Sequence, residues 1–293
     1  YGMRRKEKNT TGFTLSYSLL QTDRDYREVT ERTAGNQIFS RISELTRNMI
    51  HELNGRSDYK IVLSENHYAD AGAGVISYFT NNRIGSIRDT VGSSLLVPYL
   101  YFQDHTVIMD GLSVKPGIRM NYHSTSRKVY FQPRFSLEYT LNDHFRLTAA
   151  AGIYNQFVAK SMILDTSRNY KLAWSLCTNN EIAVLNSNSF TLGFTYSRND
   201  FIFNTEGYFR NTGGITRYLE TAGGAVAYEG ESRTKGLDLF IKKEFRNYSF
   251  WIGYTLSKTE EKFPYFPSGS FIPAMHDQRH ELKIAGLVKI KSF

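Results

Sequence analysis

The stretch VYFQPRFSLEYTLNDHFRLTAAAGIYNQF, residues 129–157, decides the fold of this chain. In its first half, apolar or aromatic residues alternate with polar ones, at Val129, Phe131, Pro133, Phe135, Leu137 and Tyr139. Successive side chains of a β-strand point to opposite faces, so a period of two predicts a strand with one apolar face. The polar residues Asn142, Asp143 and His144 then predict a tight chain reversal into a second strand.

The same alternation recurs along the chain, over residues 13–19, 112–122, 190–196, 250–256 and 282–290. Several of these segments exceed the usual strand length of about 5–6 residues. They supply the ~9–11 residues that a tilted membrane-spanning strand needs. A soluble sandwich would show the same period, so segment length and the connections between segments decide between the two.

The predicted connections alternate between short and long. Short polar turns are predicted at residues 64–67, 109–111, 142–144, 198–200 and 244–247, and long connections near 21–49, 80–95, 157–187, 211–228 and 259–276. Outer-membrane barrels have short periplasmic turns and longer extracellular loops. The pattern therefore predicts an all-β, transmembrane, antiparallel up-and-down β-barrel with about twelve strands present. One turn or two of helix is expected within the first long connection, from Arg41 to His51.

The composition agrees with a barrel and excludes several other classes. The chain has 293 residues, a net charge of +8, and 20 each of Tyr and Phe, but a single cysteine, Cys177. That cysteine has no partner for an internal disulfide. The basic residues are scattered among the strands, which favours contact with outer-membrane lipid and lipopolysaccharide and argues against nucleic-acid binding. The start at Tyr1 shows no signal peptide, so we expect that the chain begins within a longer protein or follows a removed signal.

Five blocks, taken in order, resemble TonB-dependent receptors, especially those of the Bacteroidetes type: YLYFQD at 99–104, AAGIYNQF at 150–157, EGYFRN at 206–211, YTLSK at 254–258 and PAMHDQRHEL at 273–282. The resemblance covers nearly the whole chain and depends on the ordered succession of these blocks. It implies a barrel of about 22 strands with a plugged lumen. It also implies import of a scarce ligand with energy delivered from the inner membrane.

On this resemblance, residues 1–293 are expected to form part of the barrel domain of a Gram-negative outer-membrane receptor. The plug domain, the remaining strands and the segment that contacts the TonB complex would lie outside the chain. The expected ligand is an iron chelate, a cobalamin-like cofactor, a glycan or a peptide. The isolated piece would expose unpaired strand edges, which lipid cannot satisfy, so we expect it to aggregate when expressed alone.

Eight residues are predicted to bind ligand: Phe263, Tyr265, Phe266 and Phe271 in an extracellular loop, and Tyr154, Glu206, Tyr208 and Arg210 on the lumen side of strands. Aromatic rings give a large contact area at low conformational cost. The alternative for the loop aromatics is the girdle at the membrane interface.

We predict no catalytic residues, no metal site and no cofactor. His276 and His280 are four residues apart, but in a strand this spacing is about 13 Å, too far for both to bind one ion. No serine stands in a nucleophile elbow. A passive porin or an adhesin-type barrel without a plug is the alternative function, and an outer-membrane enzyme is a third.

Overall fold

A computed structural model of the chain describes residues 9–30, 40–83, 93–164, 170–178, 182–221 and 224–289. These residues are almost entirely β-strand. The only helical element among them is a 3-10 turn, Pro267–Gly269. None of the described helical residues belongs to a helix that is long and apolar enough to cross a membrane.

The strands, numbered in chain order, are β1 Thr10–Thr30, β2 Ser40–Ser64, β3 His67–Arg83, β4 Ser93–Met109, β5 Leu112–His123, β6 Lys128–Thr140, β7 Phe145–Gln156, β8 Val158–Leu164, β9 Tyr170–Leu176, β10 Leu185–Arg198, β11 Phe201–Thr221, β12 Gly224–Glu244, β13 Tyr248–Lys262, β14 Ile272–Pro273 and β15 His280–Val288. All fifteen belong to one sheet.

The sheet is an antiparallel meander, as predicted. Neighbours follow the order β1 to β7, then β10 to β13, with β14 and β15 both pairing with the far edge of β13. This arrangement gives twelve strand positions, because β14 and β15 share one, and it matches the predicted count. Among the described residues, β1 and β15 do not pair with each other, so the sheet is open between them.

The five predicted tight turns are confirmed. The sheet reverses at residues 65–66, 110–111, 141–144, 199–200 and 245–247, and all five reversals lie at the same end of the strands. In the third turn, the Asn142 side chain accepts hydrogen bonds from the backbone N–H groups of His144 and Phe145, at 2.9 and 3.1 Å. Short turns predominate at the periplasmic end of an outer-membrane barrel. The opposite end has one short turn, at residues 124–127, and otherwise carries the long hairpins, so it is extracellular.

The predicted long connections are largely wrong, because the strands continue through them. β1 and β2 pair from Thr10–Lys60 to Thr30–Ser40, so the helix predicted over 41–51 is strand. Likewise β11 and β12 remain paired to Thr221–Gly224. Strands of 21 and 25 residues are much longer than the ~9–11 needed to cross the bilayer, so these hairpins extend beyond it.

The connection predicted at 157–187 is also wrong, since it contains a hairpin of its own. β8 pairs antiparallel with β9, and its end pairs in parallel with β11 over Arg217–Leu219. Residues of this hairpin and of the chain leading to β10 pack against β4, burying a cluster made of Leu95, Val97, Phe157, Ala159, Leu176, Cys177, Ile182 and Val184.

The two faces of the sheet differ as the alternation predicts. The outward face presents exposed apolar side chains such as Phe13, Leu100, Phe131, Leu192 and Leu282. The inward face presents polar and charged side chains, and the β8–β9 hairpin lies against it. This is the arrangement of a membrane barrel, with lipid-facing and lumen-facing residues alternating along each strand.

Candidate functional site

The inward face carries two arginines on neighbouring strands. In β5, the Arg119 guanidinium lies 3.7 Å from the centre of the Tyr99 ring, and its Nε donates to Asn121 Oδ1 at 2.9 Å. In β6, Arg134 donates to Gln132 Oε1 at 2.9 Å and lies 4.9 Å from the ring of Tyr154.

These contacts orient both guanidinium groups without neutralising them. Neither Arg119 nor Arg134 forms an ion pair with a carboxylate of the described residues, whereas Arg217, Arg146 and Arg279 do. Stacking on an aromatic ring leaves the N–H groups at the guanidinium edge available to accept an anionic partner. The pair therefore supplies positive charge and fixed hydrogen-bond donors on the inner wall.

The β8–β9 hairpin forms a roof over this part of the wall. The Asn48 carboxamide in β2 holds it by accepting from Trp174 N–H at 3.1 Å and donating to Trp174 C=O at 2.7 Å. A second anchor joins the His123 ring, which is fully buried, to Cys177 C=O at 2.6 Å. Phe157 adds an edge-to-face contact with Tyr130, with ring centres 5.4 Å apart.

A cavity of about 430 Å³ lies between this roof and the wall. Its lining includes Glu52, Tyr78, Arg119, Asn121, Gln132, Arg134, Phe157 and Trp174. Asn121 is 1% exposed, and its Nδ2 has no hydrogen-bond partner among the described atoms. A buried N–H without a partner is costly, so this group can donate to an acceptor atom of a bound molecule or of a water.

Three of the predicted loop aromatics form one cluster at the extracellular end. Phe263 stacks on Tyr265 at 5.5 Å, and both meet Phe266 edge-to-face, at 5.4 and 5.0 Å. Arg217 lies 4.6 Å from the Phe263 ring and forms a buried ion pair with Glu261. Phe263 is only 1% exposed, so it supports the loop from within, while Tyr265 and Phe266 remain partly exposed.

Phe271 does not join this cluster. Its ring lies 4.0 Å from the Arg233 guanidinium and 5.9 Å from Lys262 Nζ, both on the outward side of the sheet. The loop that carries these aromatics is closed by Asp277, which accepts from Thr259 N–H and from Arg279 Nε, each at 2.6 Å. Burial alone would raise the pKa of the Asp277 carboxyl, but these two donors lower it below its ordinary value.

The four predicted strand residues all lie on the inward face, as expected. Tyr154 meets Arg134 and so adjoins the wall that carries both arginines. Glu206, Tyr208 and Arg210 follow one another along β11, several strands away from Arg119. The structure therefore brings one of the four toward the arginine pair and leaves three on a separate part of the inner wall.

Sequence reasoning missed Arg119, Arg134, Asn121 and Trp174. The period of two placed the first three on the polar face, but many residues share that face. What singles them out is the roof of the cavity, whereas the sequence predicts a long connection over residues 157–187.

A sequence model of the TonB-dependent receptor-like β-barrel family matches residues 3–284. No curated protein sequence matches the chain. Pseudomonas aeruginosa FpvA bound to heterologous pyoverdines is similar over 99% of this chain and 42% of its own, with 11% identity and a TM-score of 0.66. The siderophore receptor PirA from Pseudomonas aeruginosa covers 87% of this chain and 53% of its own, with 12% identity and a TM-score of 0.54.

The FrpB iron transporter from Neisseria meningitidis, in its apoprotein form, covers 86% of this chain and 42% of its own, with 12% identity and a TM-score of 0.56. At such identities the likeness shows the fold alone. The chain spans about half or less of the length of these solved structures.

Proposed function

This chain belongs to the TonB-dependent receptor-like β-barrel family of Gram-negative outer-membrane proteins, and we propose that it forms the ligand-binding wall of a receptor that imports an anionic chelate. The observation that carries the proposal is the roofed cavity with Arg119, Arg134 and the unpartnered Asn121 Nδ2. The described residues of the lining include two cations, Arg119 and Arg134, and one carboxylate, Glu52, so the cavity favours a negatively charged ligand.

Of the expected ligands, an iron chelate fits this chemistry best. A chelate built on anionic oxygen donors presents negative charge and acceptor atoms to fixed donors, and charge-assisted hydrogen bonds are about twice as strong as neutral ones. The aromatic rings of Tyr78, Phe157 and Trp174 would pack against its apolar rim. The names of the similar proteins, which include an iron transporter and siderophore receptors, are consistent with this class.

We further propose that Tyr265 and Phe266 contact the ligand before it reaches the cavity, with Phe263 supporting them. Energy for import would come from the TonB complex acting through a plug domain outside this chain. The alternative, a passive porin, fits less well because the β8–β9 hairpin is anchored across the inner wall, where an open channel would be expected.

The test is direct binding of ferric chelates of different charge to the complete receptor in detergent. A negatively charged ferric tris-catecholate is expected to bind more tightly than a neutral ferric tris-hydroxamate. The Arg119→Ala/Arg134→Ala variant should lose at least about 100-fold in affinity for the anionic chelate, because hydrogen bonds to charged groups contribute about 1.5–3 kcal/mol each and the two arginines together therefore contribute at least about 3 kcal/mol. Arg146→Ala is the matched control, since this inward arginine pairs with Glu138 near the periplasmic end.

Equal affinity of the wild type and the double variant for every chelate would refute the cavity as the binding site. Equal affinity for the charged and neutral chelates would refute the assignment of ligand class. Phe266→Ala tests the loop aromatics separately, with Phe271→Ala for comparison on the outward side.

A further inference from the structure

The two ends of the roofed cavity differ in chemistry. The end formed by β5 and β6 is polar, with the two arginines, Asn121 and Gln132 among its lining residues. The opposite end, formed by β1 to β3 and the roof, is apolar apart from Ser18 and the carboxylate of Glu52. We call this end the Glu52 pocket, and its remaining side chains are those of Leu20, Ile50, Ile76, Tyr78 and Trp174.

The register of β1 to β3 brings the side chains of the Glu52 pocket together. Ile50 and Glu52 are two residues apart in β2, so they point to the same face of the sheet. Leu20 in β1 is the register partner of Ile50, and Tyr78 in β3 is the register partner of Glu52. Ile50 is only 7% exposed, so the carboxylate stands next to a buried apolar side chain.

The Glu52 carboxylate has no cationic partner in the protein. Among the residues that the structure describes, no lysine, arginine or histidine forms an ion pair with it. The two arginines are too far away, because three steps from strand to strand separate β2 from β5, which is about 14 Å. Glu52 is half-buried, and an incoming cation would compensate its charge.

The side chains around the carboxylate suit both the stem and the charge of an aminoalkyl group. Leu20, Ile50 and Trp174 offer apolar surface to an alkyl chain, and the ring of Tyr78 attracts an ammonium group. Lys160, whose Nζ lies 5.8 Å from the centre of the Trp174 ring, is exposed and does not line the cavity. The described lining of the Glu52 pocket therefore has one negative charge and no positive charge.

We propose that the Glu52 pocket binds a cationic arm of the imported chelate, a primary ammonium group on an alkyl chain. The inference rests on the proposed function, because the two arginines hold the anionic head of the same molecule. The ammonium group donates to the Glu52 carboxylate, and the alkyl chain packs on Ile50 and Trp174. The cavity thus selects a dipolar chelate over a chelate that is anionic throughout.

The experiment measures the affinity of the complete receptor in detergent for two ferric tris-catecholates that differ only at the end of one hexyl arm. One arm ends in an ammonium group and the other in a hydroxyl group. The wild type should bind the ammonium form about 10-fold more tightly, as expected from the lower end of the range for hydrogen bonds to charged groups.

Glu52→Gln should abolish this preference, because the amide carries no charge, whereas Glu52→Asp should keep part of it. Glu138→Gln is the matched control, because Glu138 is an inward carboxylate near the periplasmic end and pairs with Arg146 at 3.6 Å. Its preference for the ammonium form should equal that of the wild type. Heat-modifiable mobility in gels confirms that each variant contains a folded barrel.

Equal affinity of the wild type for the two forms overturns the proposal. So does a preference that Glu52→Gln retains, or one that Glu138→Gln also removes. In these cases the proposed function still holds if Arg119→Ala/Arg134→Ala weakens the binding of both forms. A double variant that binds both forms as the wild type does, or a wild type that binds neither form, refutes the chelate cavity and the proposal together.

Discussion

The anchoring of the β8–β9 hairpin gives the sharpest prediction. Replacing Asn48 with Ala removes both hydrogen bonds to the backbone of Trp174 and leaves its N–H and C=O without these partners. Each lost partner of a buried polar group costs about 1–3 kcal/mol. Since Trp174 is half-buried, we take the lower part of that range and expect the docked hairpin to lose about 2–4 kcal/mol.

Cys177 reports on this loss, because it is the only cysteine in the chain and it lies just after β9. Its thiol is fully buried, and burial raises its pKa to about 12. The thiolate is the reactive form, so labelling by a maleimide requires the hairpin to undock. A loss of 2–4 kcal/mol then raises the labelling rate about 30- to 700-fold, at 1.4 kcal/mol per tenfold.

The assay is the rate of maleimide labelling of Cys177 in the receptor held in outer-membrane vesicles. Asn188→Ala is the control, because Asn188 is an exposed, outward-facing asparagine of β10 and should leave the rate unchanged. A labelling rate for Asn48→Ala within threefold of the wild type, in a correctly folded barrel, would refute the anchoring role. So would an equal increase for Asn188→Ala.

Three further predictions concern other parts of the wall. Phe157→Ala should lower the free energy of unfolding by about 3–5 kcal/mol, as for large core residues, in denaturant titrations in which Phe190→Ala, at an exposed outward position, has a smaller effect. Equal losses for both would contradict the burial of Phe157. Gly214→Ala should destabilise by about 1–3 kcal/mol, since Gly214 has φ +85° and an added Cβ would meet a backbone oxygen at 2.7 Å. Gly213→Ala meets nothing within 4 Å and is the control, so equal midpoints would argue against strain at Gly214. The pKa of Asp277 is lowered in the folded state, so the ionised carboxylate stabilises the fold at pH values above its unfolded-state pKa of about 3.9. This stabilisation is lost as the pH falls through the folded-state pKa. The protection factors of the amides of residues 274–279 against hydrogen exchange should therefore fall in acid for the wild type but not for Asp277→Asn, and parallel pH profiles would disprove the role of this carboxylate.

The repeating features of this fold were predictable from sequence alone. The period of two fixed the lipid-facing side of β6, β10 and β13, and the polar turn at 142–144 fixed where β7 begins. Both are local signals, and each depends only on residues adjacent in the chain. The strand count followed from them, because every tight turn joins two antiparallel neighbours.

The extracellular half was harder to predict because its order comes from pairing between distant residues. Residues 41–51 have mixed polar character and no clear alternation, yet they form strand because β1 pairs with one edge throughout and β3 pairs with the other edge from Arg47 onward. The β8–β9 hairpin depends on partners on other strands, such as Asn48 and His123. In the sequence, the aromatic residues of 263–271 form one group. In the structure, Phe271 lies on the outward side of the sheet, whereas Phe263, Tyr265 and Phe266 cluster on the other side.

The contact between Asn48 and Trp174 also has a consequence for the order of assembly. These residues are 126 positions apart in the chain, with β3 to β8 between them. Contacts between residues so distant in sequence form slowly, because the intervening chain must be ordered before they become favourable. The docking of the roof is therefore expected to follow the pairing of the strands beneath it. At an earlier stage of biogenesis, the receptor would already have a lumen, but its β8–β9 hairpin would not yet be docked. The undocked hairpin would be accessible to proteases that cannot reach it in the finished barrel.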